Sequence, residues 1–575
     1  MNLFKKIIEY IVVLVFISAS ALSIFISNST PSENFNVIIH LIISGILFLF
    51  LLTLIYSRER NFRFEFTDII FVILIISNFI NLFYSKIPYV TQGYLFYYLD
   101  FFVIFIFCRY WFKNNGDLIG FILITSGAVL AVLSVLPFKF SLNQNLLDKC
   151  FIIILISLPL SLTYFFIVLV RSDLAITDQH RFIYRFLRII IFLTIPLAIF
   201  FDKQINTASS QYTRDSFYSK QIAIDIFNEN KVWGGGLGIF NHIYSPFQKH
   251  FADFQPSLNN IFYSIISEQG LVGTCLNGLL ILSLLITIIA KYRKIQSQRK
   301  RIKFTGFTSA LIIVTIYYYF SSHAQTIFYG FIFWGLMAII FSLQVREPYY
   351  KGFSRLLKTI LTILSVLVFF LYSFIISSSF LAIQLLNRTI NKSKSESVVE
   401  NEFQKLRTID PLNYHLYISL GDYYKKKLGT DESRQSTIIA KDKEIITKME
   451  SAYQTALKLN EYAEEVYGKL SDIFNKVGDT KKADETLKKG LEKFPINVSM
   501  LSELGKSYET KGEYDKALKY YLRIKELEPK NINSYLNLAR TYNKLGDKKN
   551  ETDMYYKILQ IDSKNKFALN ALTQY

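Results

Sequence analysis

The residues best equipped for chemistry gather between positions 203 and 270. Arg214 offers a planar fork of N–H donors that matches phosphate oxygens, and Lys203 supplies a second cation nearby. The plain alternative for Arg214 is a surface cation beside Asp215. In the run Trp233, Gly234, Gly235, Gly236, Leu237, Gly238, backbone amides without side chains can approach an anion; a tight turn explains the same run. Glu268 stands about eight residues into an apolar run, where an ionisable group is a candidate acid, base or orienting group, unless it still reaches the headgroup region. Asn259 and Asn260 precede that run, Tyr244, Gln248 and the imidazoles of His242 and His250 complete the stretch, and His323 stands apart in a later short loop. Cys108, Cys150 and Cys275 lie in or beside apolar runs, with no disulfide framework or zinc spacing, and read as buried structural thiols.

These residues need a scaffold, and the sequence changes character along its length. Hydrophobic residues make up 51% of the 575, yet long apolar runs stop near Leu386 and polar residues dominate afterwards. A span of about 20 apolar residues crosses a bilayer core. By that rule about eleven spans are expected, at 7–27, 36–56, 67–84, 94–112, 118–136, 150–170, 186–201, 261–290, 304–321, 327–344 and 357–382. Basic residues alternate with this count. Lys5 and Lys6, then Arg58, Arg60 and Arg63, then Arg109 and Lys113, and the cluster from Lys291 to Lys303 fall on one side. The intervening short loops are nearly free of them, which puts the N-terminus in the cytoplasm. The long connection 202–260 and everything after the last span are then outside. The net charge of +19 is largely accounted for by these loops and calls for no nucleic acid.

The polar part has a period. Gly478, Gly512 and Gly546 recur every 34 residues, in phase with Leu470, Leu504 and Leu538, and with Phe474, Tyr508 and Tyr542. Leu487, Tyr521 and Tyr555 form another series, Ala483 and Ala517 another, and Pro495 and Pro529 close two units. This pattern resembles the tetratricopeptide repeat, which implies paired helices stacked into an α-solenoid with a concave face for a protein partner. An earlier unit starts at Leu420 and Gly421 and carries an insertion near 430–443. The expected organisation is all-α: a membrane domain over 1–386 with its outer loop at 202–260, a linker at 387–398, and repeats over 399–575.

The order Arg214, helix, glycine turn, Asn260, then Glu268, Gly270, Leu271 and Gly273 at the start of a membrane helix resembles the O-antigen ligase and polymerase family, including its protein O-oligosaccharyltransferase relatives. The stretch 203–214 with Tyr244, Gln248 and Phe251 resembles the members that carry tetratricopeptide repeats. The resemblance implies a GT-C-like bundle in the bacterial inner membrane, with loop 202–260 and the repeats in the periplasm. It implies an envelope glycosyltransferase of lipopolysaccharide or polysaccharide biosynthesis. Such an enzyme moves a glycan from undecaprenyl diphosphate to a hydroxyl of lipid A core, a glycan or a protein, without metal or cofactor. Arg214, Glu268, Asn260, Asn259 and His323 would be catalytic. Lys203, Gly236, Gly238, His242, Tyr244 and Gln248 would bind substrate. The family pattern has histidine where Asn259 stands, and an amide is no base at neutral pH, so Glu268, His242, His250 or His323 would take that role. Two other classes compete: a non-catalytic membrane scaffold whose repeats recruit envelope proteins, and a transporter, which the scarcity of intramembrane charge disfavours.

Overall fold

The structure, a computed structural model, describes residues 66–102, 210–247, 261–320, 327–342, 355–392, 395–429 and 440–573, with isolated positions between 45 and 163. The regular elements among them are helices. In chain order they are α1 (Phe66–Tyr84), α2 (88–102), α3 (Ser210–Glu229), α4 (Phe240–Ile243), α5 (Ile261–Lys294), α6 (Gln298–Phe320), α7 (Ile327–Ser342) and α8 (Arg355–Lys392). The series continues with α9 (Glu396–Ile409), α10 (Tyr414–Gly429), α11 (Ala440–Leu459), α12 (Glu464–Val477) and α13 (Thr480–Lys493). It closes with α14 (Val498–Thr510), α15 (Tyr514–Leu527), α16 (Ile532–Leu545), α17 (Lys548–Ile561) and α18 (Lys566–Leu572). The spans expected at 7–27, 36–56, 118–136, 150–170 and 186–201 lie essentially outside the described residues. Two compact units result: Met1–Gly238 with Ser257–Leu381, and Ile239–Pro256 with Ala382–Tyr575.

In the first unit α5 packs against α1 and α3, and α6 against α7 and α5. Phe71 stacks on Trp334 at 4.4 Å and meets Phe102 edge-on at 5.1 Å. Arg109, expected among the loop cations, is instead buried, and one of its guanidinium nitrogens donates to both carboxylate oxygens of Asp68 at 2.8 and 2.9 Å. A buried charge requires such a partner. Among the described residues α1 and α5 are long and apolar enough to cross a membrane. The span expected at 261–290 continues to Lys294 and breaks at Gly270, whose backbone (φ 63°, ψ −159°) is not helical. The span expected at 357–382 is part of α8, which runs without interruption to Lys392, through half of the expected linker.

The second unit stacks helix hairpins α10–α11, α12–α13, α14–α15 and α16–α17. The glycines at the crossings make room for rings: a Cβ on Gly421 would sit 2.5 Å from the Tyr453 ring, and one on Gly505 would sit 2.5 Å from the Tyr521 ring. Both tyrosines are fully buried. Gly478 and Gly546 close α12 and α16 in the left-handed conformation that a side chain resists. A second series marks the helix starts. Asn497, Asn531 and Asn565 cap α14, α16 and α18 by accepting from Met500, Ser534 and Ala568 amides.

Candidate functional site

The break in α5 is the centre of the first candidate site. A helix interrupted at Gly270 releases carbonyls before the break and amides after it, and buried groups of this kind need partners. The segment 231–236 supplies them. The Gly235 amide donates to the Ser267 carbonyl at 2.9 Å and the Gly236 amide to the Glu268 carbonyl at 3.0 Å. In return the Leu271 amide donates to the Lys231 carbonyl at 2.9 Å and the Val272 amide to the Val232 carbonyl at 3.2 Å. The glycine run is thus a strap laid along the broken helix. Only glycine fits this approach, because a Cβ on Gly234 would lie 2.5 Å from the Glu268 carbonyl carbon. The amides of Gly235 and Gly236 are spent on helix carbonyls, which removes them as donors to an anion.

Side chains from α1 and α2 surround the strap. The Asn81 amide nitrogen donates to the carbonyls of Trp233 and Glu268, bridging strap and helix. The Asn81 amide oxygen and the neighbouring Asn78 amide nitrogen are buried without a hydrogen-bond partner among the described residues. The Lys86 amide donates to the Gly235 carbonyl at 3.0 Å, the Thr91 hydroxyl to the Leu237 carbonyl at 3.3 Å, and the Tyr94 ring fills the space that a Cβ on Gly238 would take. The Gln269 amide donates to the Tyr98 hydroxyl at 2.6 Å, and Asn277 donates to the Gln269 oxygen at 3.0 Å. Glu268 is 5% exposed, and its carboxylate acts electrostatically on the Tyr94 and Tyr98 hydroxyls. The result is a polar interior, built on a helix break, around the buried Glu268.

Of the expected site residues, Glu268, Gly236 and Gly238 come together here. Arg214 is on α3, whose helix packs against α5. Lys203, Gln248, Asn259, Asn260 and His323 lie outside the described residues. His242 and Tyr244 fall in the second unit, because the segment after Gly238 belongs with the repeats. Ile239, Phe240 and Ile243 are fully buried, and the single turn Ser245–Phe247 packs on α13. Burial, and after it His415, holds the His242 imidazole below its ordinary pKa. Burial, and after it Glu464, raises Tyr244. Asn78, Asn81, Thr91, Tyr94, Tyr98 and Gln269 were missed in the sequence. Asn78 and Asn81 had a usable signal, two amides one turn apart in an apolar span.

The second candidate site is a groove of about 530 Å³ in the repeat unit. It lies where the N-terminal ends of α10, α12 and α14 line up, with His242 on one side. Tyr414, Tyr462 and Met500 give it apolar walls, and Glu464, Glu465 and Glu503 give it charge. Along the first helices of successive hairpins, most charges are paired: Lys425 with Asp472, Lys469 with Asp422, and Arg540 with Glu509.

Residues 498–531 and 532–565 each match the family model of the tetratricopeptide repeat, so the C-terminal part of the chain carries these repeats. Over 64 residues the chain is 39% identical to Tetratricopeptide repeat protein 8 of Caenorhabditis elegans, a stretch that is 11% of this chain and only 13% of that protein. Among solved structures, the MamA protein is 17% identical over 32% of this chain and 93% of its own, with a TM-score of 0.26. YrrB, described as a TPR protein with an unusual peptide-binding site, is 17% identical over 35% of this chain and 91% of its own, with a TM-score of 0.25.

Proposed function

We propose that this protein is a membrane-held scaffold whose C-terminal tetratricopeptide repeats take a protein partner. The observation that carries the reading is the stack itself, a run of capped helix hairpins from α10 to α17 containing two matched repeats. Stacked hairpins of this kind present an extended concave surface, the usual seat of a partner chain. Support for the membrane comes from stripes of apolar side chains with high exposure. On α8, Leu356, Ile360, Ile363, Leu367 and Phe374 share one helical stripe, each more than half exposed. On α1, Phe66, Ile69, Ile73, Ile76, Phe79 and Phe83 do the same at 45–76% exposure. Water penalises such stripes and lipid does not. The proposed setting is the bacterial inner membrane in about eleven spans, with the N-terminus cytoplasmic and the repeats outside. The test is a photoreactive amino acid at Lys506, an exposed position on α14, in living cells. A discrete protein adduct is expected, and its absence there and at neighbouring exposed positions of α12 and α16 refutes the scaffold.

A second reading is favoured by one observation, the buried Glu268 at the strapped helix break. It is a glycosyltransferase of the O-antigen ligase type. An acceptor hydroxyl attacks the anomeric carbon of a glycan on polyprenyl diphosphate, the bond from that carbon to the diphosphate oxygen breaks, and the hydroxyl proton passes to a base. Arg214 and Lys203 would neutralise the departing diphosphate, and Glu268, or His323 in the place of the family histidine, would take the proton. The acceptor would be lipid A core, a glycan or a protein. Purified protein with an undecaprenyl-diphosphate glycan and these acceptors tests it: transfer that Arg214→Ala abolishes is expected, and no transfer by the wild type refutes it.

A further inference from the structure

Gly468 is the observation from which this inference starts. It sits inside α12, where glycine destabilises a helix relative to alanine. Its neighbours at helix crossings, Gly421 and Gly505, are excused by the rings pressed against them, but nothing lies within 4 Å of where a Cβ on Gly468 would be. Its backbone is helical, so no left-handed turn requires it either. What the missing side chain does is leave space, and that space is part of the groove at the ends of α10, α12 and α14.

The chemistry of the walls says what fills the space. Tyr462 and Met500 flank it with apolar surface that suits an aliphatic stem. Glu465 is paired with Lys469. Glu464 meets the Asn497 side-chain amide and Glu503 the Ser499 hydroxyl, but among the described residues neither has a cation at ion-pair distance. Burial, and after it Asp472, holds Glu503 above the ordinary carboxylate pKa, so its charged form is under-served. Burial holds the His242 imidazole on the groove below its ordinary pKa, so it carries little charge at neutral pH. The helix N-termini favour anions by partial charges only; Glu464 and Glu503 bring two full charges, of which Glu503 is only partly offset by Ser499 and the more distant Lys506. An acidic ligand would meet repulsion here.

We propose that this groove is the seat of a basic segment of the partner protein, with an arginine or lysine stem lying over Gly468 and its charged head between Glu464 and Glu503. The proposal rests on the scaffold reading and adds the chemical class of the partner and the place of its anchor. The loop segment carrying His242 forms part of the seat, so the repeats and the loop recognise the partner together.

The test uses the full chain in a neutral detergent and a fluorescein-labelled peptide, Ser-Arg-Tyr-Ser-Arg-Tyr-Ser-Arg, with a counterpart in which glutamate replaces arginine. Fluorescence anisotropy is expected to show binding of the arginine peptide only, weakening as salt is raised. Gly468→Leu fills the space and should weaken binding about tenfold or more, with a melting temperature no lower than the wild type. The double variant Glu464→Gln, Glu503→Gln leaves the backbone unchanged and should weaken it similarly, which keeps the test decisive if the leucine variant loses its fold. Equal binding by wild type and both variants overturns the proposal, as does preference for the glutamate peptide or no binding at all. In that case a persisting adduct at Lys506 leaves the scaffold reading standing, and loss of the adduct as well removes both.

Discussion

Replacing Gly270 by alanine strikes the strap and the helix break together. The backbone of Gly270, at φ 63° and ψ −159°, belongs to a region that only glycine enters freely, and forcing another residue there costs about 1–3 kcal/mol. The added Cβ would also stand 2.5 Å from the Gly234 nitrogen and from the Val232 carbonyl oxygen. Both are backbone atoms fixed by the strap, so relief means breaking strap bonds worth about 0.5–1.5 kcal/mol each. Together these place the expected loss at about 2–4 kcal/mol. Hydrogen exchange followed residue by residue is the assay. At about 1.36 kcal/mol per decade, the amides of Gly235 and Gly236 should exchange roughly 30- to 1,000-fold faster. The Leu271 and Val272 amides offer an internal control. If the helix heals across position 270, they regain partners at 267 and 268 and stay protected while the strap is released. Unchanged protection at Gly235 and Gly236 would refute the account of the strap as the partner that makes the break affordable.

Gly505→Ala should destabilise the repeat stack by about 1–3 kcal/mol through collision with Tyr521, whereas Gly468→Ala should leave it unchanged or firmer, as chemical denaturation of the two variants would show. Lys427, and then Lys448, hold the Glu396 carboxyl down to about 2, below its ordinary 4.5. That contribution is present above the ordinary value and lost as pH falls toward 2, so the repeat unit should soften on acidification across this range, and Glu396→Gln should flatten the dependence. His242 has the opposite chemistry but the same sign: its folded pKa is depressed, so its contribution is present above about 6.5 and fades as pH falls below it. Corrected for intrinsic exchange, the His242 and Ile243 amides should open between neutral and mildly acid pH, an effect that His242→Gln should abolish.

The repeats were legible because their physics is local and recurs. A ring such as Tyr521 demands a small residue at Gly505, a helix end demands Gly478 or Gly546, and the same demands return every 34 residues. The Asn497, Asn531 and Asn565 caps obey the same period and could have been read from it. The strap was not legible, because its partners are far apart in sequence. Nothing near Gly235 says that its amide will meet the Ser267 carbonyl, and nothing near Arg109 says that Asp68 will neutralise it. A glycine run read alone suggests an anion cradle. Read against a second segment with unpaired carbonyls, it becomes a β-like splice, and its donors are already committed.

The segment from Lys231 to Phe247 is divided between the two units. Up to Gly238 it is bonded to the broken helix that holds Glu268, and from Ile239 it belongs with the repeats. Between the two parts there is a single peptide bond. The Tyr94 ring packs against Gly238 within the first unit, and Phe240 and Ile243 are buried within the second. A partner seated over Gly468 touches the same loop through His242. Occupation of the groove should therefore change how firmly 239–247 is held within its own unit. The arginine peptide is expected to slow exchange of the His242 and Ile243 amides, because the segment that carries them lines the seat. Unchanged exchange at both, with the peptide bound, would refute a seat that includes this segment.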